Sequence, residues 1–120
     1  MISFTTTRDN KVLGFRVSEK LSAKDYEEVL TPAIEAQIKA QGKARILIEW
    51  DNSFKGWEPK AMLDDMRLGF SHWNDFDKVA LVGAPKWLDI FFKLFDSLSK
   101  GEVKAFADGE YDAAMTWAGS

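Results

Sequence analysis

The sequence predicts a single α/β domain whose mixed, mostly parallel sheet is covered by helices. Three observations support this prediction. The 120 residues fit one domain, short apolar runs alternate with amphipathic segments of helical spacing, and the first two apolar runs flank a polar turn. Alternating strands and helices favour right-handed crossovers between parallel strands. The expected order is therefore β-β-α-β-α-β-α-β-α over residues 1–120.

The N-terminal segment predicts two strands. Apolar and polar side chains alternate over residues 2–7, and residues 12–17 form a second apolar run. Residues 8–11 between them are Arg-Asp-Asn-Lys, a polar sequence typical of a turn. A short turn between two strands indicates an antiparallel hairpin.

The first predicted helix has clear start and stop signals. Ser22 is a suitable N-cap, and Asp25 three residues later completes a short capping box. Gly42 is a natural end. Pro32 lies inside this helix, where it removes one backbone hydrogen bond, so we expect a kink near Glu28.

The middle of the chain predicts a buried strand followed by a helix. Residues 44–50 contain a continuous apolar run, which is typical of a strand covered on both faces. Pro59 suits the first turn of the next helix. The predicted apolar face of that helix consists of Met62, Leu63, Met66, Phe70 and Trp73.

The C-terminal part completes the alternation. Residues 79–83 and 103–107 are predicted strands, and residues 108–117 form a closing helix. Between the two strands, a helix is expected over residues 85–100, with Gly101 as its stop.

Composition excludes several classes of function. A net charge of -3 gives no electrostatic basis for binding nucleic acid. The absence of cysteine excludes disulfides, thiolate metal sites and a cysteine nucleophile. The N-terminus lacks signal-peptide features, and no apolar stretch is long enough to span a membrane. These observations predict a cytoplasmic protein, and no motif predicts a metal or another cofactor.

The order and spacing of several segments resemble the SpoIIAA-like family of small STAS/Sec14-type domains. The segments that carry the resemblance span nearly the whole chain; they are residues 21–26, 45–49, 54–57, 64–65, 72, 78–83, 86–87 and 112–117. The resemblance implies a STAS-like fold and a class of function: small-ligand or lipid binding, membrane association, and regulatory interaction. It implies no established reaction.

One position departs from the pattern of the related anti-sigma factor antagonists. In those proteins a partner kinase phosphorylates a serine after the third strand, in an Asp-Ser-Ser-Gly-like context. The equivalent residues 51–56 here read Asp-Asn-Ser-Phe-Lys-Gly, so Ser53 is near the position but lacks the motif. A phospho-switch at Ser53 is retained as an alternative.

The predicted helix at 85–100 is more apolar than one face requires. Its apolar residues cover roughly 200° of the circumference, whereas a helix on a sheet needs a stripe of a little over 100°. Trp87, Phe91, Leu94 and Leu98 are expected to face the sheet. Leu88, Phe92 and Phe95 remain, and four interpretations are open for them: a neighbouring helix, a second subunit, a membrane surface or a lipid-like ligand.

The remaining candidates suggest a pocket rather than a catalytic centre. His72 is the only histidine, no nucleophile motif accompanies it, and the acidic pairs show no environment that would perturb their pKa values. Aromatic residues fall near the carboxyl ends of strands, where open α/β sheets usually bind ligands. The predicted ligand-binding residues are Trp57, Met66, His72, Trp73, Trp87, Phe91 and Phe95.

We therefore predict a non-enzymatic domain that binds an apolar or amphipathic small molecule. The helix at 85–100 is expected to act as a lid or as a peripheral membrane contact. The alternative is an interaction module, in which the same helix forms a homodimer or docks a regulatory partner.

Overall fold

The computed structural model describes residues 1–5, 11–72, 74–86 and 101–120, without the side chains at 66 and 70. A five-stranded sheet forms its centre, in the spatial order β1-β2-β4-β6-β7. The strands are β1 (Ile2–Phe4), β2 (Leu13–Val17), β3 (Lys20–Leu21), β4 (Ala44–Trp50), β5 (Gly56–Trp57), β6 (Phe76–Val82) and β7 (Glu102–Phe106). The short strands β3 and β5, which the sequence did not predict, form a separate parallel pair.

Strand directions agree with the predicted mixed sheet. β1 is antiparallel to β2, with Ile2 opposite Val17, whereas β2, β4, β6 and β7 run parallel. β6 begins at Phe76, three residues earlier than expected. A register shift leaves Asp77 as an extra residue against β4, and its carboxylate accepts a hydrogen bond from Arg45 Nε at 2.7 Å.

The first helical segment has the predicted cap. The Ser22 N–H donates to Asp25 Oδ2 at 2.8 Å, and the Asp25 N–H donates to Ser22 Oγ at 3.2 Å. A π-helical segment follows (Asp25–Leu30) and continues directly into α1 (Thr31–Gln41). Gly42, at a φ of 80°, ends the helix in the left-handed conformation that favours glycine.

The π-helical segment lies where Pro32 was expected to kink the helix. The N–H of Thr31 bonds the carbonyl of Tyr26, five residues earlier. In an uninterrupted α-helix, Pro32 would lack its hydrogen bond and crowd the carbonyl of Glu28. In this arrangement Pro32 instead falls in the first turn of α1, where its missing N–H is tolerated.

The second helix, α2 (Pro59–His72), corrects the predicted apolar face. Met62 and Leu63 are 55% and 56% exposed, whereas Ala61 and Leu68 are buried. Residues seven apart share one side of a helix, and the small Ala61 side chain allows α2 to lie close to the core. The prediction was therefore wrong for Met62 and Leu63.

The core lies on both faces of the sheet. On one face, α1 and α2 cover a cluster that includes Phe15, Ile34 and Leu81. On the other face, α3 (Tyr111–Gly119) packs on Leu47 and its neighbours through Ala114, Met115 and Ala118. The α/β sheet covered by helices is therefore confirmed. The predicted helix at 85–100 lies outside the described residues from position 87 onward.

Candidate functional site

An open groove of about 400 Å³ separates the first helical segment from α2. Its walls are Glu27, Thr31 and Glu35 on one side, and Asp64, Arg67, Leu68, Ser71 and His72 on the other. Most of these side chains are polar or charged, although Leu68 is buried at the base. The groove can therefore hold a molecule with a polar end.

The helix geometry explains why one wall contains Glu27, Thr31 and Glu35. Residues four apart advance around an α-helix by about 40° beyond a full turn. A π-helical turn closes between residues five apart and is wider, so four residues turn less in it than in an α-helix. The π-helical segment before Thr31 thus offsets the advance and keeps the three side chains on one line.

Most of the acidic side chains in the groove already have partners. The carboxylate of Glu27 lies 3.2 Å from Lys60 Nζ. The carboxylate of Glu35 lies 3.7 Å from His72 Nε2, while His72 Nδ1 is 3.0 Å from Asp75. His72 therefore connects the end of α2 with the opposite wall.

Asp64 and Arg67 differ from these paired groups. Asp64 Oδ2 is buried without a hydrogen-bond partner among the residues that the structure describes. Arg67 is exposed, and no ion pair or hydrogen bond of its guanidinium occurs within the part of the chain that the structure describes. A buried carboxylate oxygen without a donor costs free energy. Asp64 and Arg67 thus line the groove without an ion pair to any residue that the structure describes.

A hydrogen-bond chain beside the groove joins three elements. Trp57 Nε1 donates to the Tyr26 hydroxyl at 2.7 Å, and that hydroxyl donates to Asp65 Oδ1 at 2.8 Å. Burial raises the pKa of Tyr26 far above its usual range, and the charge of Asp65 adds to the effect. The chain fixes β5 and the π-helical segment against α2.

Asp65 is exposed at the surface, and its Oδ1 accepts the hydrogen bond of the Tyr26 hydroxyl. Desolvation raises the pKa of Asp65 above its ordinary value, and the hydrogen bond from Tyr26 opposes the shift only in part. The Asp65 carboxylate is thus hydrogen-bonded to Tyr26, whereas the neighbouring Asp64 lines the groove.

The SpoIIAA-like family model matches residues 12–119. This chain belongs to the SpoIIAA-like family. A similar solved structure is that of a DUF3478-family protein with a SpoIIAA-like fold from Shewanella loihica PV-4, with a TM-score of 0.75. The sequences are 27% identical over 98% of this chain and 92% of that one. None of the curated proteins matches the chain.

Membership in the SpoIIAA-like family gives a broad class of function, that of a small regulatory or interaction module. SpoIIAA-like domains are generally non-enzymatic. Within the described residues, no three histidine or acidic side chains gather in a way that could hold a metal ion.

Ser53, the alternative phosphorylation site of this SpoIIAA-like domain, is exposed in the loop after β4. Its hydroxyl donates to Asp51 Oδ2 at 2.6 Å and accepts from the Glu19 N–H at 3.2 Å. Asp51 also binds Arg16 Nη2 at 2.5 Å. The hydrogen bond from the Ser53 side chain lowers the pKa of Asp51, with further contributions from the Ser53 backbone and Arg16. A phosphate on Ser53 would remove the hydroxyl donor to Asp51 and place a second negative charge beside it, so this hydrogen bond would be lost on phosphorylation.

The structure places Trp57 and His72 at opposite ends of α2. Trp57 is partly buried in β5, with its ring 5.3 Å from that of Phe54 in an edge-on contact. His72 ends the helix, and the 14 residues of α2 span about 21 Å. Both residues could contact a long ligand, but they do not form one compact pocket.

The other predicted site residues cannot be placed. The side chain of Met66 and residues Trp73, Trp87, Leu88, Phe91, Phe92 and Phe95 lie outside the described part of the chain. Their predicted roles in ligand, membrane or subunit contact stay predictions. Among the described helices, none combines the length and apolar character needed to cross a bilayer.

Sequence reasoning missed Asp64, Arg67 and the opposite wall of the groove. The four-residue spacing of Glu27, Thr31 and Glu35 was visible, but on its own it is typical of any solvated helix face. Asp64 and Asp65 are visible in the sequence as an acidic pair, but the sequence does not indicate what surrounds them. The packing of the two helices supplies that environment, and no local motif encodes it.

Proposed function

We propose that this SpoIIAA-like domain is a non-enzymatic binding module that holds an amphipathic small molecule in the groove between α1 and α2. The open groove of about 400 Å³, which Asp64 and Arg67 line without an ion pair to any other described residue, is the observation that carries the proposal. Pockets for small molecules typically measure about 300–1,000 Å³. The polar end of a ligand in the groove can pair with either of these charged side chains.

The surroundings of the groove fit an amphipathic ligand. Leu68 gives the base a buried apolar contact, and Leu63 lies one turn before Arg67 on the same side of α2. Leu63 is 56% exposed and could cover an apolar chain that leaves the groove past Arg67. The predicted aromatic contact at Trp57 is compatible with a chain that continues along α2.

Native mass spectrometry of the purified protein, with solvent extraction of bound molecules, tests this proposal. We expect a co-purifying amphipathic molecule, and we expect Asp64→Leu to reduce its occupancy about ten-fold because the acceptor is lost. Glu102→Gln, a substitution of an exposed residue on β7, is the matched control and should retain it.

Two results would contradict the proposal. One is the absence of a bound molecule together with no thermal shift from a panel of single-chain amphiphiles. The other is a ligand that is retained equally by Asp64→Leu and the control. A dimer in the same spectrum would instead favour the interaction-module alternative, for which the exposed Met62 and Leu63 offer an apolar contact.

A further inference from the structure

We infer that the open edge of β1 is an interaction surface, to which a second copy of this chain adds its own β1 in the antiparallel direction. The sheet has two edge strands, β1 and β7. An edge strand offers backbone donors and acceptors to the strand of another chain. No residue of β1 lines the groove, so the inference is independent of the proposed function.

The hairpin of β1 and β2 has the regular antiparallel hydrogen-bond pattern. The Thr5 N–H donates to the Gly14 carbonyl at 2.9 Å, and the Ser18 N–H donates to the Met1 carbonyl at 2.9 Å. In an antiparallel ladder, residues that exchange hydrogen bonds with the partner strand alternate with residues that do not. Met1 and Thr5 therefore determine which way the backbone groups of the three residues between them point.

The backbone groups of Ile2 and Phe4 point to the open edge. In the register of the hairpin, Ser3 is the position that is hydrogen-bonded to β2. Ile2 and Phe4 are the alternate positions, so their N–H and C=O groups face away from β2. The Phe4 side chain is 60% exposed, so this part of the strand is accessible to another molecule.

The two edge strands differ in how they are protected. Proteins keep edge strands from pairing with other chains by means of charged side chains, proline or bulges. β7 contains the exposed residues Glu102 and Lys104, and Lys104 Nζ lies 5.3 Å from the centre of the Phe106 ring. β1 (Ile2–Phe4) contains neither a charged residue nor a proline, and its register with β2 has no bulge. We therefore assign the surface to β1.

The register of β1 makes this strand complementary to itself. If Ser3 lies opposite Ser3 of the second copy, Ile2 of each copy lies opposite Phe4 of the other. Both are outward-facing positions, so each of these pairs exchanges two hydrogen bonds, and every outward group of β1 is used. Each exposed Phe4 ring then lies beside an isoleucine, and such aromatic and β-branched pairs stabilise sheets.

The charged side chain opposite Ser3 is balanced within its own copy. Arg16 on β2 binds Glu49 Oε1 at 2.6 Å and Asp51 Oδ1 at 2.5 Å. Two copies joined through β1 therefore bring no unbalanced charges together there. A charged peptide would find no complementary charge at this position, whereas an identical uncharged strand fits.

The interface is small, so we expect a weak dimer. Transient complexes typically bury less than about 1,200 Å², and β1 has three residues. We expect a dissociation constant of roughly 10 μM to 1 mM, measured by sedimentation over that concentration range. Pairing through identical edges gives a closed two-fold dimer and no larger species. A dimer this weak dissociates at the dilution used for native mass spectrometry.

Substitutions of Phe4 test strand addition. Phe4→Pro removes the outward N–H, and proline is tolerated on an edge strand at such a position. Phe4→Lys adds the kind of charge that protects β7. Each should raise the dissociation constant about ten-fold or more. Phe4→Leu keeps the N–H and an apolar side chain and should dimerise normally. Met62→Lys, at a 55% exposed position of α2, should also dimerise normally.

A single cysteine tests the register. The chain has no cysteine, so Ser3→Cys can form a disulfide only between two copies. In the proposed register, the two Cα atoms at position 3 are about 4.5 Å apart, within the range of about 4.4–6.8 Å found in disulfides. Lys104→Cys, on the exposed face of β7, is the matched control and should stay largely reduced under the same mild oxidation.

Four results would overturn the inference. They are a monomer at every concentration up to about 1 mM, a dimer that persists in Phe4→Lys, a dimer that is lost in Met62→Lys, and equal cross-linking of Ser3→Cys and Lys104→Cys. Far-ultraviolet circular dichroism checks that each variant folds. Should Phe4→Pro fail to fold, Phe4→Lys still decides, because Phe4 is largely exposed, and the Ser3→Cys result does not depend on changing Phe4.

Discussion

Asp64 and Asp65 are neighbours in α2 but have opposite environments. Asp65 Oδ1 accepts a hydrogen bond from the Tyr26 hydroxyl at 2.8 Å, whereas Oδ2 of Asp64 is buried and has no donor within the described part of the chain. The sequence shows two adjacent acids and cannot distinguish them, because the difference depends on what packs against each side of the helix. One helix position thus separates a structural carboxyl from a candidate binding carboxyl.

The raised pKa of Asp65 predicts a specific pH dependence of stability. Because the folded state binds this proton more tightly than the unfolded chain does, the free energy of unfolding should fall as pH rises from 3.8 through the folded pKa. Asn at position 65 cannot titrate. In Asp65→Asn, the fall of the free energy of unfolding with rising pH should therefore disappear, as measured by urea denaturation at several pH values between 4 and 7.

One control variant and one other carboxyl delimit the pH range of this prediction. In the control, Asp108→Asn, an exposed carboxyl is removed, and the free energy of unfolding should depend on pH as it does in the original protein. Burial opposes the shift at Asp25, but its hydrogen bonds with Ser22 lower its pKa below 3.8. Its stabilising contribution is lost only as pH falls below that value, outside the window. An unchanged slope in Asp65→Asn would contradict the prediction.

At the scale of elements, the approach of β7 to β6 depends on Gly101. A Cβ at this position would overlap the carbonyl oxygen of Phe76, a backbone atom that cannot move aside as a flexible side chain could. The sequence indicated Gly101 only as a helix stop. Its close packing at the start of β7 was not predictable, since it depends on a neighbouring strand 25 residues away.

Gly101→Ala should lower the free energy of unfolding by roughly 2–3 kcal/mol through this overlap. Gly42→Ala is the comparison: its Cβ would meet nothing within 4 Å, so only the left-handed backbone opposes it. That cost is about 1 kcal/mol. Urea denaturation measures both, and an equal or smaller loss for Gly101→Ala would show that the strands can separate without penalty.

At the scale of the whole molecule, much of the fold could be predicted and much of the site could not. The hairpin, the parallel strands and the Ser22 cap follow from local pattern, and the structure confirms them. The orientation of α2 did not follow, because Ala61 rather than the larger Met62 and Leu63 faces the core. Burial of a small residue is decided by the distance between elements, which periodicity does not encode.

The two faces of the sheet should unfold together. Ile34 belongs to the cluster under α1, and Met115 of α3 belongs to the cluster on the opposite face. Ile34→Ala and Met115→Ala should each cost about 2–5 kcal/mol. Because β4 and β6 contribute to both clusters, both variants should retain a single transition by near- and far-ultraviolet circular dichroism. Separate transitions for the Met115→Ala variant would contradict this coupling.

The π-helical segment also has a consequence for how this helix tolerates change in length. A π-helical turn is equivalent to an α-helix that has received one additional residue. Each residue contributes about 100° of rotation, so the segment sets the angle around the helix axis between Tyr26, near its start, and Glu35, which follows it. A substitution changes individual contacts in the groove. Loss of a single residue between 25 and 30 would instead rotate Thr31 and Glu35, which line the groove, relative to Tyr26, which is hydrogen-bonded to α2.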